Sequence, residues 1–429
     1  MARDSSTNQP AAVPWRECVQ CVARSDVGLR RANNQDAFSV FPASSEEVWK
    51  QRGHLVLVAD GMGAHAAGEL ASKLAVDTIP LTFHKLRTQT IPAALKSAVS
   101  DANRIIHGRG KANPEFEGMG TTIAGVLVCP QGAYVANVGD SRVYRLRGNK
   151  LEQLSFDHSL AWEVRAAGQV AAASSIPSNI ITRSLGPGPD VEVDLEGPFK
   201  VIPGDIFLAC SDGLSGQVSD EELGAVLCSL PLNEAMDLLV NMANIRGGPD
   251  NITAVACRIA ENYVEATEDE PDKIEKKEPT GFIAGMHPMV LLALVLSLTA
   301  LAVCWAWGRP LYTAIAALAG LIATLAAFLR FQPSGQAIMP SRQTRRSPYG
   351  SWICEPTEQL ASGIATCFDQ VKDSAVDGED VVTDVAAKQE KLAQEAVKKE
   401  DWRAALNAHG RAVNDAMDQL RQQGIRGVI

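Results

Sequence analysis

Four aspartates stand where short apolar runs meet turn residues: Asp36 in GLRRANNQDAF, Asp60 in VADGMG, Asp212 in ACSDGL and Asp250 in GGPDNITAV. A strand delivers such a residue to one rim of a fold, and a neighbouring glycine lets backbone approach a ligand closely. Singly, each suits a helix cap or a turn. Together they imply more, because clustered carboxylates repel and are costly to ionise unless cations neutralise them. All-oxygen ligands select hard ions, Mg2+ or Mn2+, that keep several waters. Two such ions lower the pKa of a bridging water and hold it in line with phosphorus, so the indicated chemistry is hydrolysis of a phosphate ester.

The stretch that organises the other elements is LVLVADGMGAHAAGELAS, Leu55 to Ser72. Its apolar run predicts a buried strand ending at Asp60-Gly61, and a helix beginning near Glu69. Further strands are predicted at Thr121–Val128, Ala133–Val138, Arg142–Arg147, Asp205–Cys210 and Ile252–Ile259. Tight turns at Pro130-Gln131-Gly132 and Arg147-Gly148-Asn149 favour antiparallel hairpins. Helices are predicted at Glu69–Leu86, Ala93–Gly108, Asp157–Ala167, Asp220–Leu227 and Asn233–Asn244, with Ser219 and Glu222 as a capping box. Hairpin runs of strands with helices in separate pairs indicate an α+β fold rather than a doubly wound sheet.

At 429 residues the chain is long enough for two or more domains. A formal net charge of -10 excludes general nucleic-acid binding, which needs a basic face. Nine cysteines, an odd count without a secretory signal, fit reduced thiols in the cytoplasm. Cys18 and Cys21 form a CxxC, but no second pair accompanies it, so its expected role is structural. Residues 1–16 read as a flexible polar tail and 17–260 as the catalytic unit.

Residues 261–285 are charged and poor in apolar side chains, as in a solvated linker. Two uncharged apolar stretches follow, Met289–Trp307 and Leu311–Leu329. Each has roughly the 20 residues a helix needs to cross a hydrocarbon core of about 30 Å, so residues 286–331 are predicted to form a two-span membrane hairpin. Small residues at Ala293, Ser297, Ala300 and Cys304, and at Ala316, Gly320 and Thr324, would let the two helices pack closely. Arg330, Arg342, Arg345 and Arg346 follow the second span, which puts both flanks on the cytoplasmic side of the inner membrane. A basic linker over 332–350 leads to a tail, 351–429, with helical spacing at Val385, Leu392, Val397, Trp402, Leu406, Val413, Met417 and Leu420. It reads as a helical hairpin or a partner-binding tail; one loose tetratricopeptide-like helix pair has no repeated period behind it.

The ordered motifs GLRRANNQDAF, VADGMGAHAAGELAS, GMGTTIAGV, VANVGDSRVYRLR, LSFDHSL, ITRSLG, CSDGLSGQVSDEEL and GGPDNITAV span about Cys18 to Ile259. In these the chain resembles the PPM (protein phosphatase 2C-like, PP2C) family of metal-dependent serine/threonine phosphatases, in its bacterial branch. The resemblance implies a β-sandwich of two antiparallel sheets with helices on both outer faces and metals between the sheets at one end. It implies Arg31 as the arginine that binds substrate phosphate, a role its planar fork suits. It implies Asp36 as a support of the metal centre, Asp60 as the carboxylate bridging both ions, and the Gly61 carbonyl as reaching one of them. Asp212 and Asp250 correspond to the remaining ligands of the other ion, and Asp140 to a third, weaker site. The expected cofactors are two Mn2+ or Mg2+ ions.

The implied activity is hydrolysis of phosphoserine and phosphothreonine on proteins by direct attack of a metal-bridged hydroxide, from an enzyme tethered to the membrane. A serine/threonine kinase and its substrates are the implied partners. The alternative is a catalytically silent sensing or docking module anchored to the membrane. One departure concerns the proton donor: Met62 stands where eukaryotic members carry a histidine, and neither His65 nor His158 matches that role. His158 is expected to be structural or part of a substrate loop, and Ala166 to Ile180 corresponds to the family's variable flap.

Overall fold

In the computed structural model the described residues are 15, 17–64, 66–169, 175–177, 180–261, 263, 347–374 and 383–422. The chain opens with strands β1 (Val19–Asp26) and β2 (Ala37–Phe41), helix α1 (Glu46–Arg52), and strands β3 (His54–Ala59) and β4 (Gly61–Met62). Helices α2 (Ala67–Lys85) and α3 (Ile91–Ala112) follow. Next come β5 (Gly120–Thr121), β6 (Ile123–Cys129), β7 (Gly132–Val138), β8 (Arg142–Arg147) and β9 (Lys150–Gln153). After helix α4 (Leu160–Ala166), strands β10 (Asp194–Phe199) and β11 (Ile206–Cys210) lead to helices α5 (Asp212–Ser215), α6 (Asp220–Ser229) and α7 (Leu232–Ile245), then β12 (Ile252–Ile259). The C-terminal part supplies β13 (Gly350–Ile353), α8 (Glu358–Ser374), α9 (Asp384–Lys398) and α10 (Trp402–Gln422).

Two antiparallel sheets carry the fold, ordered β1-β12-β11-β8-β9-β13 and β10-β7-β6-β3-β2. Strand periodicity explains the layering. Along β3, Val56 and Val58 meet Phe207, Ala209 and Val255 of the other sheet, whereas Leu55, Leu57 and Ala59 face Ala71, Ile79, Phe83 and Leu95 of α2 and α3. A strand covered on both faces buries side chains at every position, which is why β3, β6 and β7 are almost entirely apolar, with His54 and Asn137 as buried polar exceptions. The outer face of the first sheet, with Tyr144, Leu146 and Leu208, is covered by α6, α7, α8 and α10. The expected antiparallel α+β sandwich with helices on both faces is therefore present.

The C-terminal part differs from the separate helical tail expected for 351–429. Strand β13 pairs antiparallel with β9 and extends the first sheet. Phe368 and Val371 of α8, with Leu406, Val413 and Met417 of α10, share one core with Leu223 of α6 and Leu239 of α7. Across that contact, Asn241 donates to Asn414, Asn414 donates to the Glu234 carbonyl, and Arg421 donates to Asn241. The apolar stripe on α9 falls on neighbours of the expected positions. Ala386, Ala393 and Ala396 are buried, whereas Val385, Leu392 and Val397 are exposed. Small side chains let α9 lie close to α10, and the larger neighbours are left outside.

The polar N-terminus 1–14, most of the linker, both predicted membrane spans and the basic linker through 346 lie outside the described residues. Among the described residues no helix is long and apolar enough to cross a membrane.

Candidate metal centre

Asp60 leaves β3 with its backbone pinned on both sides. Its N–H donates to Thr122 Oγ1 at 2.9 Å, and its carbonyl accepts from Thr121 Oγ1 and the Thr122 N–H, each at 2.8 Å. Thr122 Oγ1 also meets Ser141 Oγ at 2.7 Å, which ties this turn to Asp140. Asp212 begins α5 directly after β11, and Ser211 Oγ donates to Asp36 Oδ2 at 2.8 Å. Asn251 holds the loop that carries Arg31 and Asp36: its Nδ2 donates to the Val27 and Asn33 carbonyls and its Oδ1 accepts from the Gln35 N–H. Gly248 accepts from the Leu29 and Arg30 N–H groups, so the Asp250 loop and the Arg31 loop are joined backbone to backbone. Gly28 sits at φ 75° against the Asp250 carbonyl, where a Cβ would collide.

These contacts gather Asp36, Asp60, Asp140, Asp212 and Asp250 into one electrostatic cluster. Burial, followed by the charges of Asp36, Asp212 and Asp140, pushes the Asp60 carboxyl well above its ordinary value. Burial pushes Asp36 up to about 7, with Asp212 and Asp250 adding to it and hydrogen bonds from Ser211 and Thr253 opposing it. Asp140 rises to about 7 through burial and the charges of Asp212 and Asp157. Asp212 is raised by burial and Asp250. Repulsion of this kind is what a bound cation relieves.

Unused acceptors make the same point: Asp36 Oδ1, Asp140 Oδ1 and Asp212 Oδ1 are buried with no hydrogen-bond partner. Among the described residues no group of three or more His, Cys, Asp or Glu closes into a ready metal cage. An ion that keeps several waters does not require a closed cage of side chains. The residues present therefore fit hard divalent ions.

Arg31 lies at the rim, half exposed, with Nη2 2.7 Å from Asp250 Oδ2. Gly61 follows Asp60 in β4, where a Cβ would collide with the Gly68 carbonyl. Met62 pairs with Gly120. His158 is buried with both ring nitrogens engaged: Nδ1 accepts from the Gly139 N–H at 2.9 Å and Nε2 faces Asp194 Oδ2 at 3.1 Å. It braces the Gly139-Asp140 turn, as the structural reading of it expected. His65 lies outside the described residues, as do 170–174 and 178–179 of the flap. The flap base is clamped where the Leu160 N–H donates to the Ile180 carbonyl and the Thr182 N–H to the His158 carbonyl.

Sequence reading missed Thr121, Thr122, Ser141, Ser211 and Asn251 as supports of the site. Ser141, Ser211 and Asn251 each adjoin a candidate aspartate, the one signal that could have found them.

Coupled buried carboxylates at the strand ends of a helix-covered sandwich, with a guanidinium beside them, define a metal-dependent phosphoesterase. Residues 30–255 match the protein phosphatase 2C family model, and the chain belongs to that family. It is 36% identical over 241 residues to the serine/threonine phosphatase stp of Listeria welshimeri, covering 54% of this chain and 92% of that protein. Against the protein phosphatase PhpP of Streptococcus pneumoniae the identity is 33%, covering 56% and 98%. The solved serine/threonine phosphatase PstP/Ppp of Mycobacterium tuberculosis superposes with a TM-score of 0.50 at 35% identity, covering 56% of this chain and 99% of that one. The chain is a serine/threonine protein phosphatase of the 2C type, an enzyme class that uses Mn2+ or Mg2+.

Proposed function

We propose that this phosphatase acts from the inner membrane on phosphoserine and phosphothreonine of proteins near its cytoplasmic face. Asp60, Asp212 and Asp250, with Asp36 in support, hold two ions, the Gly61 carbonyl contributes to one of them, and Asp140 serves a weaker third. Bound there, the ions supply a nucleophile at neutral pH and neutralise charge on the phosphoryl oxygens. Arg31 orients the phosphate through its planar fork, and Asp250 holds that guanidinium in place. Asn251 and Ser211 keep the two loops in register. The observation that carries this reading is the convergence of these aspartates at one end of the sandwich, with Oδ1 of Asp36, Asp140 and Asp212 buried and without a hydrogen-bond partner.

The membrane assignment is supported by the two uncharged apolar stretches and by the arginines that follow the second one. Phosphorylated proteins, a serine/threonine kinase and its substrates, are the partners proposed. A catalytically silent docking module is disfavoured because every carboxylate of the cluster and Arg31 are intact.

The test is fractionation of cells making the full chain or a chain lacking residues 286–331. Manganese-dependent hydrolysis of a phosphothreonine peptide should sediment with membranes only for the full chain, and Asp212→Asn should abolish it in both. Activity of the full chain in the soluble fraction would refute the tether. Equal activity of Asp212→Asn would refute the site.

A further inference from the structure

Strands β1 and β12 carry a facing pair of groups that hydrolysis does not use. Cys21 stands directly opposite Cys257 of β12 in the antiparallel register, and the two sulfurs lie 2.6 Å apart. Directly opposed residues of antiparallel strands have Cα atoms about 4.5–5.5 Å apart, inside the range a disulfide spans. The CxxC partner Cys18 is engaged elsewhere, its thiol on the Trp15 carbonyl at 2.9 Å. Cys257 is buried in the core between the sheets, whereas Cys21 is half-buried.

We propose that Cys21 and Cys257 form a reversible cross-strand disulfide when the protein meets a peroxide, tying together the strands that lead to Arg31 and away from Asp250. Cys21 is the sulfur that meets the oxidant. Its thiolate takes one peroxide oxygen to become a sulfenic acid, and hydroxide leaves. The Cys257 sulfur then attacks the Cys21 sulfur, the S–O bond breaks, and the displaced hydroxide departs as water with the Cys257 proton. Across both steps two thiols lose two electrons and two protons, and the peroxide becomes two waters. The hydrogen bond to the Cys21 sulfur and burial hold the Cys257 thiol well above the ordinary range, so its proton passes to the departing hydroxide as the S–S bond forms. A small-molecule thiol reverses the bond by exchange.

The link would lie between the Val19↔Ile259 and Asp26↔Ile252 ends of the β1–β12 ladder. Past Asp26 the chain turns into the loop of Arg31, and β12 begins next to Asp250-Asn251. The two cysteines are 236 positions apart, so the bond would enclose nearly the whole catalytic body and restrict its unfolded state.

The test treats the purified full chain with hydrogen peroxide, blocks remaining thiols with an alkylating agent, and maps peptides without reduction. A linked Cys21–Cys257 peptide pair, two hydrogens lighter than the free thiols and released by dithiothreitol, is expected. The oxidised wild type should gain several degrees in thermal midpoint, Cys18→Ser should gain as much, and Cys21→Ser should gain nothing. Recovery of both residues as alkylated thiols, a Cys18–Cys21 link, or sulfinic acid on Cys21 with Cys257 free would each overturn the proposal. Cys21→Ser removes the half-buried sulfur, so the comparison does not depend on a variant of the buried Cys257.

Discussion

Arg31 Nη2 lies 2.7 Å from Asp250 Oδ2, so the proposed phosphate-binding guanidinium is held by a proposed metal ligand. The pair is half exposed on the arginine side and contributes little to stability, of order 0–1 kcal/mol. Its value is positional. Arg31→Ala should leave the thermal midpoint nearly unchanged and lower kcat/KM on a phosphothreonine peptide by about 10- to 100-fold, the worth of a charge-assisted hydrogen bond. Arg31→Lys should recover only part of this, because an ammonium lacks the planar fork. Steady-state kinetics beside a melting curve separates the two effects.

The carboxylate cluster makes the metal-free protein sensitive to pH. Asp36 is raised from 3.8 to about 7 in the fold, so between those values the folded state binds more protons than the unfolded chain. Stability from this group is greatest below about pH 4 and is lost as pH rises through about 7. In chelator, Asp36→Asn should be more stable than wild type at pH 8, and the advantage should shrink toward pH 5. Urea midpoints at the two pH values measure it, and an advantage that grows on acidification would contradict the sign.

Asn251 spans three loop groups, and its removal leaves the Gln35 N–H and the Val27 and Asn33 carbonyls without it. Asn251→Ala should weaken Mn2+ binding by about 10- to 100-fold, as loss of a ligand-orienting neighbour does. Calorimetric titration of the full chain with Mn2+ measures this. Unchanged affinity with a lowered melting temperature would make Asn251 a stabilising residue only.

The C-terminal elements are part of the phosphatase core. Phe368 of α8 is 2% exposed and packs in the cluster shared with α6 and α7. Phe368→Ala should cost about 3–5 kcal/mol in unfolding free energy. A fragment ending at residue 263 uncovers this face and should bind a hydrophobic dye. The same melting midpoint for that fragment and the full chain would contradict it.

What could be read in the sequence follows from how local each signal is. Strand β3 was legible because both of its faces are covered, and α6 because Ser219 and Glu222 cap it within one turn. Strand β13 was not, because GSWI alternates half-buried with exposed positions and acquires its meaning only from β9, nearly 200 positions earlier. The same division holds in the site. The aspartates stood out at the ends of apolar runs. Ser211 and Asn251 look like ordinary turn residues until folding brings Asp36 and Gln35 to them from 175 and 216 positions away. On α9 the helix was right and the face was wrong, because alanines rather than the larger Val385 and Leu392 meet α10.

The most direct measurement is turnover of a phosphothreonine peptide by the full chain against Mn2+ concentration, for wild type and Asp60→Asn. Wild type should show no turnover in chelator and saturable activation by Mn2+, and Asp60→Asn should lose at least about 100-fold in kcat at saturating metal, the loss of roughly 2.7 kcal/mol of transition-state stabilisation. Turnover that persists in chelator, or equal activation of both proteins, would contradict a metal centre built on Asp60.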